Sequence, residues 1–136
     1  MLAYLWASPN TLLGILVAGP GWIAGGKARL VSGILEVHGP LPRFLLEWFV
    51  PLANGASAIT LGHVVIGKSA AALEDCRAHE QVHVRQYERW GPFFIPAYFL
   101  ASLEAWMRHG DPYRDNRFEK QAFAQSIAQK RGVEHD

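Results

Sequence analysis

Cysteine is almost absent: Cys76 stands alone among 136 residues. This excludes an intramolecular disulfide and fits a reducing compartment, although an exported protein without disulfides has the same composition. Neither sign of charge dominates, since 13 Lys and Arg against 12 Asp and Glu leave a formal +1. No basic stripe therefore points to nucleic acid. Charge is missing altogether from residues 2–26, "LAYLWASPNTLLGILVAGPGWIAGG". A bilayer span needs about 20 mostly apolar residues, and that length is available. Pro9, Asn10, Gly14, Gly19, Pro20 and Gly21 interrupt it, however, so the longest clean helical pattern is 11–18. The segment also lacks the basic start and the small-residue cleavage site of a signal peptide. It reads as a buried core helix, with membrane contact and a processed leader as the alternatives. The expected location is cytoplasmic, either free or membrane-peripheral.

Repeats, low-complexity stretches and linkers are missing too, so 1–136 is expected to be one domain with one core. Five Trp, seven Phe and four Tyr supply its bulk. Asn10 is placed to cap a short first helix that stops at Gly19 and Pro20. Two β-rich runs follow, 28–31 and 34–38, and Ser32-Gly33 between them suits a hairpin or a bulge in one continuous strand. "LPRFLLEWFV" predicts a short helix ending before Pro51. Asn54-Gly55 reads as a turn, and 58–66 as a strand weakened by Gly62, which invites a bulge or a close backbone approach. The second half is helical: 73–90 closed by Gly91-Pro92, then 96–107, then a helix capped by Asn116 and running to about Gln129. Strands first and helices afterwards predict an α+β domain, a small, mostly antiparallel sheet packed on a helical subdomain.

The helix 73–90 carries "HEQVH", His79-Glu80-x-x-His83. Residues i and i+4 share one face of a helix, so both imidazoles can reach one Zn²⁺ at about 2.0–2.1 Å. Glu80 flanks that face, where a carboxylate serves as a base towards water whose pKa zinc lowers from about 15.7 towards 7. The alternative makes the histidines partly buried helix residues paired with Glu80 or Glu88. The stripe Leu73, Cys76, His83, Tyr87 and Trp90 turns this face inward, where two imidazoles need partners. Asp75, one turn before His79, is a candidate to orient that ring.

A hydrolytic zinc site takes three protein ligands and keeps a fourth position for water. Glu119, in the first turn of the last helix, is the candidate third ligand. It also stands three residues after Asn116, the spacing of a capping box, so two roles compete for one carboxylate. Cys76 is a weaker ligand candidate, with a small buried residue as its ordinary fate. His63 can face the cleft or lie exposed on its strand. Tyr98 and Tyr113 are candidates to touch substrate or the oxyanion formed when water attacks a carbonyl, against packing and loop anchoring.

"HEQVH", then "GPFFIPAY", then "DPYRDNRFEKQA", with "LGHVV" upstream, resembles a family of small bacterial zincin-like proteins. In these, His-Glu-x-x-His is followed by an Asn-x-x-Glu-x-x-Ala helix, similar to gluzincin metallopeptidases in their most reduced form. The resemblance covers residues 59–124. It implies a zinc site of His79, His83 and Glu119 with Glu80 as base, acting on an extended peptide paired along the 58–66 edge, with an ordinary core strand as the alternative for that run. The chain departs from the usual peptidase signature at Arg77, where an uncharged residue is preferred, and at Arg85, where an apolar one is. Both are expected on the exposed side of the helix, leaving metal binding possible and groove shape altered. Two rivals follow: a zinc-stabilised scaffold without catalysis, and a membrane-peripheral protein that meets lipid through its N-terminus and the apolar helix 96–107.

Overall fold

Two tight turns shape the sheet. In the computed structural model, which describes residues 1–50 and 56–134, Ser32 and Gly33 both adopt positive φ (50° and 78°). That is the mirror-image turn matching the twist of a hairpin, and it joins β1 (Lys27–Val31) to β2 (Ile34–His38) in antiparallel register. A second two-residue turn, Gly62-His63, splits what reads in sequence as one strand into β3 (Ala58–Leu61) and β4 (Val64–Gly67). Gly62, at φ +63°, lies so close to Thr11 that an added Cβ would collide with it. The expected turn at Asn54-Gly55 lies outside the described residues. Sheet order is β1-β2-β4-β3, with a parallel β2–β4 pair joining the two hairpins. The domain is thus α+β with a mixed sheet, in which β1 and β3 form the edges.

The N-terminal segment corrects the expectation of short pieces. Helix α1 (Leu2–Ile23) runs unbroken through Pro9 and Pro20. A proline removes one backbone donor from the ladder; at Pro9 the Leu5 carbonyl left without it accepts from Ser8 Oγ at 2.7 Å. Asn10 does not cap anything, because it is buried and donates from Nδ2 to the Gly91 carbonyl at 2.8 Å. Gly14 is no breaker either. A Cβ there would stand 2.7 Å from Val64 Cβ, so glycine lets the helix lie directly on the sheet.

The remaining helices sit near their expected places. Helix α2 is Pro40–Trp48, and α3 is Ala70–Trp90, started one turn early by Ser69, whose hydroxyl accepts from the Ala72 N–H. A single 3₁₀ turn leads into α4 (Phe94–Met107), and α5 (Arg117–Glu134) extends past Gln129. The core has three parts: Val37, Leu46, Val64 and Ile66 with Ala18 of α1, Ile34 and Val65 of the sheet with Leu73 and Val84 of α3, and Tyr87, Phe94 and Phe118 among the helices.

Arg77 does not lie on the exposed side of α3. Its Nε and Nη2 clamp the buried Glu36 of β2 at 2.9 and 3.0 Å, and Arg29 adds a third bond at 3.1 Å. The unusual arginine therefore ties α3 to the sheet and leaves the site alone; Arg85 is exposed as expected. Arg77→Ala should destabilise the fold by about 2 kcal/mol at neutral pH, the scale of hydrogen bonds to a charged group. Burial pushes the Glu36 pKa up, but Arg77 and Arg29 outweigh it and hold it below 4.5. The stabilisation is therefore present above pH 4.5 and fades as pH falls through the depressed value. Urea unfolding of wild type and variant should show a gap that closes in acid; a gap independent of pH would mean that Arg77 acts by packing alone.

Candidate metal centre

The site forms where α3 meets α5. Asn116 sets the entry of α5: its Oδ1 accepts from the Phe118 N–H at 2.9 Å, the expected cap. Its Nδ2 donates to the Tyr98 carbonyl and to Ser102 Oγ, pinning the start of α5 onto α4. Glu119, one turn in, does not close a capping box, because the Asn116 N–H bonds to the Tyr113 carbonyl instead. The carboxylate turns to α3.

There it meets both histidines. Glu119 Oε2 is 3.0 Å from His79 Nε2 and 3.3 Å from His83 Nε2, and the two nitrogens are 3.1 Å apart. Tyr98 Oη donates to the other oxygen, Oε1, at 2.7 Å. Three ligand atoms from two helices thus form a triangle of nearly equal sides. Tetrahedral ligands at about 2.0–2.1 Å from an ion stand about 3.3 Å from one another, so both donor set and spacing fit a small divalent cation. Glu119 and His83 are buried, and His79 is the most open of the three, with 13% of its side chain exposed.

Gln86 settles which nitrogen of His83 faces the triangle. Its Nε2 donates to the Phe118 carbonyl (3.1 Å) and to Gln121 Oε1 (2.8 Å), so its Oε1 is turned to His83 Nδ1 at 2.8 Å. That carbonyl oxygen can only accept. Nδ1 therefore carries a hydrogen, and in the neutral ring the lone pair is on Nε2, aimed at the triangle. Burial lowers the His83 pKa, yet the Glu119 hydrogen bond and the Glu80 charge raise it to about 9. For Glu119, burial acts upward, and the bonds from His79 and His83 bring it down to about 2. Each shift favours the charged form of its group.

Glu80 stands beside the triangle and outside it. It is buried, and its Oε2 accepts from Thr60 Oγ1 on β3 at 2.5 Å. Tyr87 Oη donates to the Thr60 carbonyl at 2.9 Å, fastening the same edge strand to α3.

The other candidates part ways. Asp75 is exposed and makes no hydrogen bond to His79, so it is not what orients that ring; Phe123 packs on it at 4.5 Å between centroids. Cys76 is not among the converging atoms, and burial with Glu80 and Asp75 raises its thiol pKa, the opposite of what a thiolate ligand needs. Tyr113 packs edge-on against Phe123, and burial together with the Glu119 charge raises its phenol pKa. His63 lies in the turn and not on a strand, is buried instead of exposed, and belongs to a separate cluster. It stacks on Tyr4 at 4.1 Å and meets Glu88 at 2.9 Å.

Two surface cavities of about 220 and 360 Å³ are lined by other residues, the first around His63 and Glu88, the second along α4. Gln86 and Thr60 were missed in sequence. Gln86 had a signal, its i+3 spacing from His83; Thr60 had none, since only the sheet brings it to Glu80. No protein-family model, curated protein or solved structure matches the chain.

Proposed function

We propose that this protein is a zinc-dependent hydrolase, a minimal gluzincin-type metallopeptidase acting on an extended polypeptide. The observation that carries the reading is the convergence of His79, His83 and Glu119 with the lone pair of His83 turned inward by Gln86. A zinc ion held by these three supplies Lewis acidity and a lowered water pKa. Glu80 takes a proton from the attacking water and returns it to the leaving amine. Tyr98 and Gln86 hold Glu119 and His83 in place. An extended substrate lies along β3, where the Thr60 hydroxyl links the strand to Glu80, and pairing with that edge displaces the Tyr87 hydroxyl from the Thr60 carbonyl. The resemblance of "HEQVH" and "DNRFEKQA" to zincin-like proteins points the same way.

A second reading keeps the metal and drops the catalysis. It is favoured by the near closure of the triangle and by the commitment of one Glu80 oxygen to Thr60. Incubating the zinc-loaded protein with a broad panel of unstructured polypeptides separates the two: cleavage supports the peptidase, and clean inertness supports the scaffold. Wild-type protein that takes up no zinc at micromolar supply ends both.

Gln86→Leu is expected to weaken zinc binding about 10–100-fold, the usual effect of losing a partner that orients a ligand histidine. Competition with a chromophoric chelator measures this; unchanged affinity would show that packing alone fixes the His83 ring.

A further inference from the structure

Helix α1 is built inside out for a water-soluble domain. The residues that it buries are small or polar, Ala7, Asn10, Gly14, Ala18 and Gly21, while Leu2, Leu5, Leu12, Leu16 and Ile23 stand 61–84% exposed. An ordinary surface helix does the reverse. Its polar side chains are also turned away from the surroundings: Ser8 and Thr11 donate to carbonyls of the helix itself, and Asn10 donates to Gly91. Small residues facing protein, large apolar residues facing out and polar groups satisfied internally make up the arrangement that hydrocarbon requires.

The pattern continues into α4. Beyond Phe94, which is buried in the core at its start, Ala101 and Ala105 face inward, whereas Phe99, Leu100, Trp106 and Met107 are 62–67% exposed. Glu104, the only charge on α4, pairs with Arg108 just beyond its end at 2.9 Å. Trp6 and Phe93, themselves exposed and 6.1 Å apart, join the two apolar surfaces. The total surface is 8640 Å² for 15.1 kDa, against about 7,100 Å² for a compact monomer of that mass. A protein partner would be met with a polar rim and outward hydrogen-bonding groups; α1 is uncharged throughout, and what it turns outward of that kind sits on the aromatic rings of Tyr4, Trp6 and Trp22, residues suited to a membrane interface.

From this we infer that the joined outer faces of α1 and α4 seat the protein in one leaflet of a lipid bilayer, with α1 lying in the membrane plane. At about 33 Å for 22 residues the helix is long enough to span. Spanning is excluded by what lies beneath it. Gly14 rests on Leu61 and Val64, and Gly21 rests on Pro42, so an upright α1 would carry the sheet into the hydrocarbon. The exposed edge β1, with Lys27 and Arg29, would then lose its water. In the plane, the domain itself forms the polar side of the helix. The inference does not depend on the metal. It does bear on the site, since Tyr98 reaches Glu119 from α4 while its neighbour Phe99 points into the proposed lipid.

The test is flotation of the full-length chain through a density gradient with vesicles of equal parts phosphatidylcholine and phosphatidylglycerol, in high salt. Wild type should float, and vesicles brominated in the acyl chains should quench its tryptophan emission. The double variant Leu12→Glu, Leu16→Glu changes only exposed positions and should partition at least about a hundredfold more weakly, since two leucines forgo burial in lipid. Its thermal unfolding should match that of wild type. Wild type remaining at the bottom, as an aggregate or as a discrete dimer, overturns the inference. So does flotation that the double variant retains, or protection of an N-terminal tag from protease in sealed vesicles, which would mean that α1 crosses.

Discussion

Glu80→Gln is expected to leave one equivalent of zinc bound and to lower peptide hydrolysis by about 10²–10⁴-fold, the range attributable to a positioned general base. Zinc should stay because Glu80 is outside the triangle of His79, His83 and Glu119. The fold should stay because the amide oxygen of glutamine can still accept from Thr60, the bond that Glu80 makes at 2.5 Å. What disappears is a carboxylate able to take up and release a proton. Elemental analysis and cleavage rates on the same preparation read both halves. Undiminished cleavage would remove Glu80 from the mechanism, and loss of zinc would place it among the ligands.

Glu119→Ala is expected to abolish stoichiometric zinc and to cost about 3–5 kcal/mol of stability in the metal-free protein, as when one member of a buried pair is deleted. The carboxylate holds His79, His83 and the Tyr98 hydroxyl together in a buried setting, and among the described residues no other carboxylate joins that group. Helix α5 should nevertheless keep its start, because the cap is made by Asn116 Oδ1 and not by Glu119. Zinc at about a hundred times its dissociation constant adds about 2.7 kcal/mol to a protein that binds it only when folded. Added zinc should therefore raise the melting temperature of wild type and leave that of the variant unmoved. Tight zinc in Glu119→Ala would defeat the ligand assignment.

Local signals carried the helical half of the fold. The i,i+4 spacing of His79 and His83, Gly91 as the stop of α3 and Asn116 as the cap of α5 are choices made within a turn or two of chain. The N-terminal half misled for the opposite reason. Pro9, Gly14 and Pro20 act as breakers only when nothing compensates. Here a Ser8 hydroxyl takes the carbonyl that Pro9 leaves, and the sheet beneath needs a residue without a side chain at Gly14. Gly62 was read as a weak point in one strand and a place of close backbone approach, and the approach to Thr11 is there, but within a turn. The positive φ at the Gly62-His63 turn, packed against Thr11 of α1, made it the corner of a hairpin.

By itself the sequence determined that two imidazoles share a helix face, that Glu80 flanks them and that no charge interrupts residues 2–26. Helical periodicity and composition are enough for each of these. Only tertiary structure decided that Glu119 serves the histidines rather than its own helix end, that Arg77 is held by Glu36, and that α1 shows its leucines outward. In each case a side chain or helix face had rival partners within reach. The winner was brought by an element distant in sequence, whose approach no local spacing encodes.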